Sequence, residues 1–258
     1  MPRTRAPERP CGWGAVAQAA ARSAAAPSPR RRFIITAVPD AVIFDLDGVL
    51  LDSEQRWNEA KEALVRESGG RWLDEAPRAM MGMSSPEWSA YLREALRVPM
   101  DAAAINDDVV RRMEEAYRRG LPLLPGASRA VRALAERWPL GLASSSNPEI
   151  IDLVLDVAGF AEAFAVTVSS EEVARGKPAP DVYLETAHRL GAPPRRCVAV
   201  EDSSNGLRAA AAAGMTVIAV PNPHYPPDDA ALSLAAATVT VPGAVTVALV
   251  ERIDHDRR

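Results

Sequence analysis

Two aspartates at the end of an apolar segment are the residues best suited to chemistry in this chain. Asp45 and Asp47 follow the short apolar run AVIF at 41–44, and Gly48 comes directly after them. Side chains two residues apart in an extended chain point to the same side, so both carboxylates can face one position. Such carboxylates can attack a substrate, transfer protons or bind a metal ion. A polar Asp-Gly turn is the alternative interpretation of this segment taken alone.

Three serines follow a second apolar run. The sequence SSSN at 144–147 is followed by Pro148, and Asn147 with Pro148 is typical of a helix start. Hydroxyl groups and free N–H groups at a helix start can bind an anion. A plain helix cap explains this segment equally well.

A lysine and two further acids complete the set. Lys177 lies in the turn RGKPAPD at 175–181, where its ammonium group can be held toward a phosphate, although a solvated loop lysine is the alternative. Glu201 and Asp202 end another apolar run, where adjacent acids are costly unless a cation meets them. Oxygen ligands without His or Cys nearby favour Mg²⁺ over zinc. A helix-capping role for Asp202 is the competing interpretation.

The elements around these residues alternate between helical and strand patterns. Strand patterns at 140–143, 165–168, 198–200 and 216–220 are each preceded by a helical pattern. This alternation predicts an α/β, Rossmann-like fold, with a mostly parallel sheet and helices on both faces. Ligands of such sheets bind beyond the carboxyl ends of the strands, so the polar residues are expected at one edge.

The segment between the first strand and the later ones contains only helical patterns. We predict an all-helical cap domain at 53–121, inserted into an α/β catalytic core domain formed by 40–52 and 122–258. Residues 51–53 and 121–126 would connect the two. The large apolar residues expected in the interior of the cap are Trp57, Trp72, Trp88 and Met113.

The composition is that of a globular protein with an uneven charge. Of its 258 residues, 48% are apolar and 25% are charged. Residues 1–39 contain seven arginines and one acid, and the remaining residues carry a net charge of −10. The acidic body argues against a nucleic-acid partner. Because residues 1–39 lack apolar periodicity, we predict a disordered N-terminal tail.

Cysteine content and hydropathy limit the location of the protein. Cys11 and Cys197 can form neither a disulfide framework nor a zinc site, which fits a reducing cytoplasm. The uncharged run at 230–250 is interrupted by Pro242 and Gly243, so we predict a helix, a strand and a second helix there. We expect a cytoplasmic monomer or weak dimer with no membrane partner.

The polar motifs, taken together and in this order, resemble those of the haloacid dehalogenase superfamily. Within it, the closest resemblance is to phosphatases and β-phosphoglucomutase-like proteins with a helical cap. The motifs are DLDGVLLDSE at 45–54, SSSN at 144–147, GKPAPDVY at 176–183 and VEDSSNGLRAA at 200–210. The resemblance extends over about residues 41–221. It implies a Mg²⁺-dependent phosphatase that acts on a small phosphorylated metabolite, with a sugar phosphate as the favoured class.

The resemblance also implies catalytic roles. Asp45 would attack phosphorus to form an aspartyl-phosphate, and Asp47 would protonate the leaving oxygen and then activate water. Ser144, Ser145 and Lys177 would bind the phosphoryl oxygens.

A metal site is implied in the same way. Asp45, the main-chain carbonyl of Asp47, Glu201 and Asp202 would hold Mg²⁺, which lets an anionic nucleophile approach an anionic substrate.

Other activities fit the sequence less well. Dehalogenases of this superfamily lack the second aspartate, which is Asp47 here. Mutases have a histidine near the position of Trp57, and a cap arginine after a glycine-containing loop that reads GMSSP at 82–86 here. Phosphonatases need a cap lysine that forms a Schiff base, and nothing in the sequence marks Lys61 for this role. A non-catalytic phosphate-binding protein is a further alternative, which the intact acidic motifs disfavour.

Overall fold

The structure, a computed structural model, describes residues 39–81 and 83–255, and contacts group these residues into one compact unit. The predicted disordered tail at 1–39 lies outside the described residues, except for Pro39. The strands are β1 (Ala41–Phe44), β2 (Leu140–Ser144), β3 (Phe164–Ser169), β4 (Cys197–Glu201), β5 (Thr216–Ala219) and β6 (Ala237–Thr238). The helices are α1 (Glu54–Glu67), α2 (Ala76–Ala79), α3 (Ser85–Glu94), α4 (Ala102–Arg119), α5 (Ala127–Ala135), α6 (Pro148–Ala158), α7 (Asp181–Arg189), α8 (Ser204–Ala212), α9 (Asp229–Leu232) and α10 (Val247–His255).

The strands form a six-stranded sheet in the order β3-β2-β1-β4-β5-β6, and every pairing in it is parallel. The chain order reverses at β1, which lies between β2 and β4. Sheets of this kind bind ligands beyond the strand ends at the point of reversal. The predicted α/β, Rossmann-like fold is therefore confirmed, and β1 is at its centre.

Strand β1 is apolar throughout because both of its faces are covered. Val42 and Phe44 belong to one buried cluster, which also contains residues of α5 and α6. Ala41 and Ile43 belong to a second buried cluster, which contains residues of α7 and α8. All four side chains are fully buried, as expected of a central parallel strand with helices on both sides of the sheet.

Helices α1 to α4 form the insertion between β1 and β2. Helix α4 packs against α1 and α3, and it buries one face at Ile105, Val109, Met113 and Tyr117. These positions recur every four residues, which places them on one side of a helix. The tryptophans at 57 and 88 are buried as predicted, and Trp72 packs at the edge of the same cluster.

The two connections to the inserted helices run beside each other. The N–H of Asp52 donates to the carbonyl of Pro122 at 2.8 Å, and the N–H of Leu124 donates to the carbonyl of Leu50 at 2.9 Å. An antiparallel bridge joins Leu51 to Leu123. The chain thus leaves and re-enters the sheet layer at one place. The division into a core domain and a cap domain remains a prediction.

The C-terminal part follows the predicted order of helix, strand and helix. Helix α9, strand β6 and helix α10 occupy the region that includes the uncharged run, and β6 extends the sheet beside β5. In the part of the chain that the structure describes, no helix combines the length and the apolar character needed to cross a membrane.

Candidate active site

Three acids meet where β1 and β4 end. Asp45 follows β1 and donates its N–H to the carbonyl of Val200 at 3.0 Å, which ties the end of β1 to β4. Glu201 is the last residue of β4, and Asp202 follows it. Carboxylate oxygens of Asp45, Glu201 and Asp202 all lie within 4.8 Å of one another. The predicted convergence of the first and last acidic motifs is therefore present.

Lys177 reaches this acidic cluster from the turn before α7. Its Nζ lies 2.8 Å from Oδ1 of Asp45 and 2.6 Å from Oε1 of Glu201. The lysine is 5% exposed, so its ammonium group is an interior charge rather than a solvated one. Buried charges persist only when they are paired. The interpretation of Lys177 as a plain loop lysine is thus wrong.

Glu201 is surrounded by hydrogen-bond donors. Besides Lys177, its Oε1 accepts from the hydroxyl of Tyr183 at 2.7 Å. Its Oε2 accepts from the N–H of Asp202 at 3.0 Å and from the N–H of Ser203 at 3.4 Å. A Cβ atom at Gly206 would come within 1.9 Å of the Glu201 carboxylate, so only glycine leaves room for it. Glu201 therefore orients Lys177 and the loop that leads into α8.

The acidic cluster has more negative charge than Lys177 neutralises. Burial raises the pKa of Asp45 to about 8, despite the opposing effect of Lys177. Burial, with the charges of Glu201 and Asp45, raises the pKa of Asp202 well above its ordinary range. Burial lowers the pKa of Lys177, but the two neighbouring carboxylates raise it overall. A buried set of oxygen atoms with excess negative charge suits a hard divalent cation such as Mg²⁺.

Gly48 allows the first motif to approach the last one. Its φ of +77° lies in the left-handed region that favours glycine. A Cβ atom at this position would lie 1.9 Å from Oδ2 of Asp202. The glycine is therefore required both by the turn and by the proximity of Asp202.

Asp47 is held by side chains from three parts of the chain. Its Oδ1 accepts from the hydroxyl of Ser53 at 2.5 Å and from the indole N–H of Trp57 at 3.2 Å. Its Oδ2 accepts from the hydroxyl of Ser146 at 2.6 Å. Ser146 belongs to the predicted serine motif, but its bond to Asp47 was not expected from the sequence. Trp57 was expected in the interior of the cap and near the histidine position of mutases, but its hydrogen bond to Asp47 was not predicted.

The structure places the serines of the second motif differently. Ser144 is fully buried, and its hydroxyl accepts from the N–H of Ser146 at 3.0 Å. Ser145 and Ser146 line the cavity beside Asp45 and Asp47. The hydroxyl groups that reach the cavity are thus those of Ser145 and Ser146, while Ser144 shapes the turn behind them.

The cavity lies between the sheet edge and the inserted helices. It contains about 620 Å³ of empty space, part of it open to solvent. Its walls combine polar residues of the sheet edge with aromatic, sulfur-containing and charged residues of the insertion. These residues are Asp45, Asp47, Glu54, Trp57, Lys61, Met80, Met83, Ser85, Trp88, Ser145, Ser146, Lys177, Asp202 and Ser203.

Lys61 is the functional candidate that the sequence did not reveal. It lies on α1 with 7% of its surface exposed, and its Nζ is 5.4 Å from the ring centre of Trp57 and 4.9 Å from that of Trp88. Burial lowers its pKa to about 8, although Glu54 and Asp47 act in the opposite direction. Helical periodicity places Lys61 one turn after Trp57, but it does not indicate a cavity. The structure thus places Lys61 in the cavity wall, a position that nothing in the sequence indicated.

Hydrogen bonds join the inserted helices to the serine motif. The hydroxyl of Ser85 donates to Oδ1 of Asn147 at 2.7 Å. Nδ2 of Asn147 donates to Oδ1 of Asn106 at 3.0 Å and to Oε1 of Glu171 at 2.9 Å. Asn147 thus uses its whole amide group to hold α3 and α4 beside the start of α6.

Comparison with known proteins identifies the family. The family model for haloacid dehalogenase-like hydrolases matches residues 39–214, which is more than half of the chain. The chain belongs to the haloacid dehalogenase-like hydrolase family. The match contains both motifs that supply the acidic cluster, together with the serine and lysine motifs between them.

Relatives of this hydrolase include named phosphatases. It is 35% identical over 194 residues to a probable pseudouridine-5'-phosphatase of Drosophila melanogaster, with 70% of this chain and 81% of the relative covered. It is also 35% identical over 190 residues to hexitol phosphatase B of Escherichia coli (strain K12), with 71% and 84% covered.

A solved structure supports the fold. The β-phosphoglucomutase of Clostridium difficile matches with a TM-score of 0.74 over 85% of this chain and 98% of that chain. Because the two sequences are only 21% identical, this likeness shows the fold alone.

Proposed function

We propose that this hydrolase cleaves phosphate monoesters of small metabolites through an aspartyl-phosphate on Asp45, with Mg²⁺ as cofactor. One observation carries the proposal. Asp45 lies in a buried cluster with Lys177 and Asp202, while Asp47 is held beside it in the same cavity. A carboxylate nucleophile, a proton donor, a cation and an oxygen-rich metal site are the groups that phosphoryl transfer needs.

The first step forms the phosphoenzyme. A carboxylate oxygen of Asp45 attacks phosphorus, and the bond between phosphorus and the ester oxygen breaks. Asp47, protonated, gives its proton to the departing oxygen, so that the alcohol leaves neutral. The hydrogen bonds from Ser53, Trp57 and Ser146 hold Asp47 in place for this transfer.

The second step releases phosphate. Asp47, now a carboxylate, takes a proton from a water molecule, and the oxygen of that water attacks phosphorus. The bond between Asp45 and phosphorus breaks, which restores the carboxylate. The balanced reaction consumes one phosphate ester and one water, and it yields one alcohol and one inorganic phosphate.

The residues that would hold the cation are Asp45, Asp202 and the main-chain carbonyl of Asp47, with Glu201 beside them. When bound, Mg²⁺ supplies positive charge that offsets repulsion between the anionic nucleophile and the phosphoryl group. Lys177 and Ser145 bind the phosphoryl oxygens. Ser144 supports this site from behind, through its hydrogen bond with Ser146.

The inserted helices favour a small substrate. They cover the cavity from the side opposite the sheet edge, and Trp57, Trp88 and Met80 contribute to its walls. A covered cavity excludes bulk water and large partners. A sugar phosphate is the class we favour, as in the named hexitol phosphatase. Neither a nucleic acid nor a membrane is a partner in this proposal. The chain acts as a monomer or weak dimer in the cytoplasm, where a buried free thiol such as Cys197 is stable.

A mutase is the alternative that the structure disfavours. The position where mutases have a histidine is occupied by Trp57, whose indole N–H donates to Asp47. An indole can donate a hydrogen bond but cannot accept a proton. Trp57 therefore positions Asp47 without exchanging protons with it, and water remains the acceptor of the phosphoryl group.

The test is a panel of phosphate monoesters assayed with Mg²⁺ and with EDTA. We expect hydrolysis of small esters that vanishes in EDTA, returns with Mg²⁺ and is absent in Asp45→Asn at an unchanged melting temperature. The panel includes β-glucose 1-phosphate with a trace of the 1,6-bisphosphate, and both glucose and glucose 6-phosphate are assayed. Hydrolysis in EDTA or by Asp45→Asn would contradict the mechanism. Glucose 6-phosphate formed without free phosphate would identify a mutase.

A further inference from the structure

Both lysines of this chain lie at the cavity. The sequence has 30 lysine and arginine residues, and only Lys61 and Lys177 are lysines. Each of them lines the cavity. A lysine offers a compact ammonium group with three donors, whereas arginine offers a wide planar fork. Lys177 is paired with two carboxylates, as described above, and Lys61 has a different environment.

The N–H groups of the Lys61 ammonium make no hydrogen bond to an acceptor among the described residues. Among the described residues, its close partners are the rings of Trp57 and Trp88, which attract its charge. The faces of the rings hold Nζ at the cavity, but they do not replace oxygen acceptors for its three N–H groups. Nζ is not among the fully enclosed atoms that lack a partner, so the cavity is the side from which oxygen acceptors can reach it. The arrangement therefore indicates a ligand that brings oxygen atoms to Nζ.

Glu54 offers the complementary group in the same wall. Its carboxylate lines the cavity and makes no ion pair with Lys61, although the two charges act on each other. The charge of Asp47 also acts on Lys61. Two acids near one lysine disfavour a second phosphate or carboxylate on the substrate. A hydroxyl group fits better because it can accept from Lys61 and donate to Glu54.

We propose that Lys61, flanked by Trp57 and Trp88 and facing Glu54, is the residue that selects the substrate by binding hydroxyl oxygens of the leaving group. The preferred substrates are polyol or sugar esters with one phosphate and no second acidic group. The aromatic rings provide apolar surface for the C–H groups of such a molecule. This inference rests on the proposed function, to which it adds the chemistry of the leaving group.

A pair of substrates isolates the contribution of the hydroxyl groups. Sorbitol 6-phosphate and hexyl phosphate have chains of equal length, and only the first has free hydroxyl groups. We expect the wild-type kcat/KM to favour sorbitol 6-phosphate, and Lys61→Met to reduce this preference about tenfold or more, mainly through KM. Lys61→Gln keeps a donor without the charge and should retain most of the preference.

A matched control comes from the same helix. Arg66 on α1 is exposed and pairs with Glu62, so Arg66→Met removes one positive charge without reaching the cavity. The preference should be unchanged in this variant. An unchanged preference in Lys61→Met would overturn the proposal. A second result would also overturn the proposal. If the wild type prefers sorbitol 1,6-bisphosphate and both Lys61 variants lose that preference equally, Lys61 binds an anion rather than hydroxyl groups.

A binding measurement separates this proposal from the proposed function. In the Asp45→Asn protein with Mg²⁺, acetylation of Lys61 is followed by mass spectrometry, and only two lysines can react. We expect saturating sorbitol 6-phosphate to protect Lys61, and inorganic phosphate to leave it reactive. Equal protection by both, or by neither, would overturn the assignment of Lys61. If sorbitol 6-phosphate protects Lys61 but the wild-type protein hydrolyses no ester, the binding role of Lys61 is supported. Only the proposed function is then contradicted.

Discussion

Asp47 shows how one side chain depends on distant parts of the sequence. Its donors are Ser53 in the first connection, Trp57 in the insertion and Ser146 beyond β2. Both carboxylate oxygens are thereby engaged, which limits rotation of the carboxyl group. A proton donor with a fixed orientation needs less rearrangement at the moment of transfer.

The role of Asp47 leads to a prediction about leaving groups. Asp47→Asn should reduce kcat for an alkyl phosphate by about 10²–10⁴-fold, because the departing alkoxide then lacks its proton. A p-nitrophenolate ion leaves without a proton, so p-nitrophenyl phosphate should still form the aspartyl-phosphate. Rapid mixing should show a burst of about one nitrophenolate per enzyme followed by slow turnover, since water is no longer activated.

The control for this burst is Asp45→Asn, which should give none. Equal losses of the first turnover for both esters in Asp47→Asn would contradict the role of Asp47 as an acid. Circular dichroism would verify that both variants keep the fold.

The lowered pKa of Lys61 predicts an unusual pH dependence of stability. Between pH 8 and 10.5 the folded protein has lost the proton of Lys61 while the unfolded chain retains it, so the free energy of unfolding should rise with pH. Lys61→Met lacks this group. At pH 7 it should be more stable than the wild type by roughly 1–3 kcal/mol, and the difference should shrink toward pH 10.

Denaturant unfolding of both proteins from pH 7 to pH 10 measures this difference. Arg66→Met serves as the control, because Arg66 is exposed and its removal should give no comparable trend. Glu54 and Asp47 are the charges facing Lys61, and both favour its protonated form. A wild type that is more stable than Lys61→Met at pH 7 would contradict the prediction.

The sequence predicted which residues belong to the site better than how they contact one another. Asp45 and Asp202 were singled out because each follows an apolar strand pattern, and Lys177 because it lies in a turn before a helix; the structure brings all three to one cavity. Ser144 was assigned to the phosphoryl group, yet its hydroxyl faces a backbone N–H. The direction of a side chain in a turn depends on backbone angles that residue types do not specify. Lys61 was missed because the cavity beside it is completed by Trp88 of α3 and by the sheet edge, which are distant in sequence.

At the scale of elements, the start of α6 is where the insertion and the sheet layer meet. Asn147 accepts from Ser85 of α3 and donates to Asn106 of α4 and to Glu171. The asparagine is 1% exposed and its bond with Ser85 is buried, while its bonds with Asn106 and Glu171 are partly buried. Buried hydrogen bonds of this kind define a position, because leaving their groups unpaired is costly.

Asn147→Ala should therefore loosen the contact between the insertion and the sheet layer. We expect faster hydrogen exchange in α3, a free energy of unfolding lower by about 1–3 kcal/mol, and a reduced kcat/KM for small esters. Gln55→Ala is the control, since Gln55 is exposed on α1 and its side chain donates to Glu59 of the same helix. Unchanged exchange in α3 would show that Asn147 does not hold the insertion.

Element positions were predicted closely, whereas their packing was not. The strand patterns at 140–143 and 216–220 correspond to β2 and β5, each with one end that differs by one residue. Apolar periodicity reports local structure directly. The approach of α3 to α6 depends on side chains far apart in sequence, and periodicity contains no information about such pairs.

At the scale of the whole molecule, the start of the described chain is bound to the segment before β4 through Asp40 and Arg196. Asp40 forms two hydrogen bonds of 2.6 Å with the guanidinium group of Arg196, and its N–H donates to the carbonyl of Arg196 at 2.7 Å. The hydrogen bond with Arg196 is also the largest reason why the pKa of Asp40 is lowered. This attachment lies at the start of the region that the family model matches.

Deletion of residues 2–38 should therefore leave the enzyme intact. The melting temperature should change by less than about 3 °C, and kcat/KM should remain within about twofold. Asp40→Asn in the shortened chain should lower the melting temperature, because it weakens the attachment to Arg196. Thermal unfolding and a phosphatase assay measure both effects. A large loss on deletion alone would show that the removed residues stabilise the body.

The hydrogen-bonded connections at Asp52–Pro122 and Leu50–Leu124 affect how the inserted segment can be exchanged during evolution. The two connections are hydrogen-bonded to each other, so any segment inserted between them begins and ends at adjacent points. The entropy of closing a loop rises only slowly with its length, so segments of very different size can be exchanged there. We expect a foreign segment grafted at this passage to leave β1 and β2 undisturbed, provided that it supplies a donor to Asp47 in place of Trp57. Exchange of the inserted helices can thus change the substrate preference, while Asp45, Lys177 and Asp202 stay in place at the sheet edge.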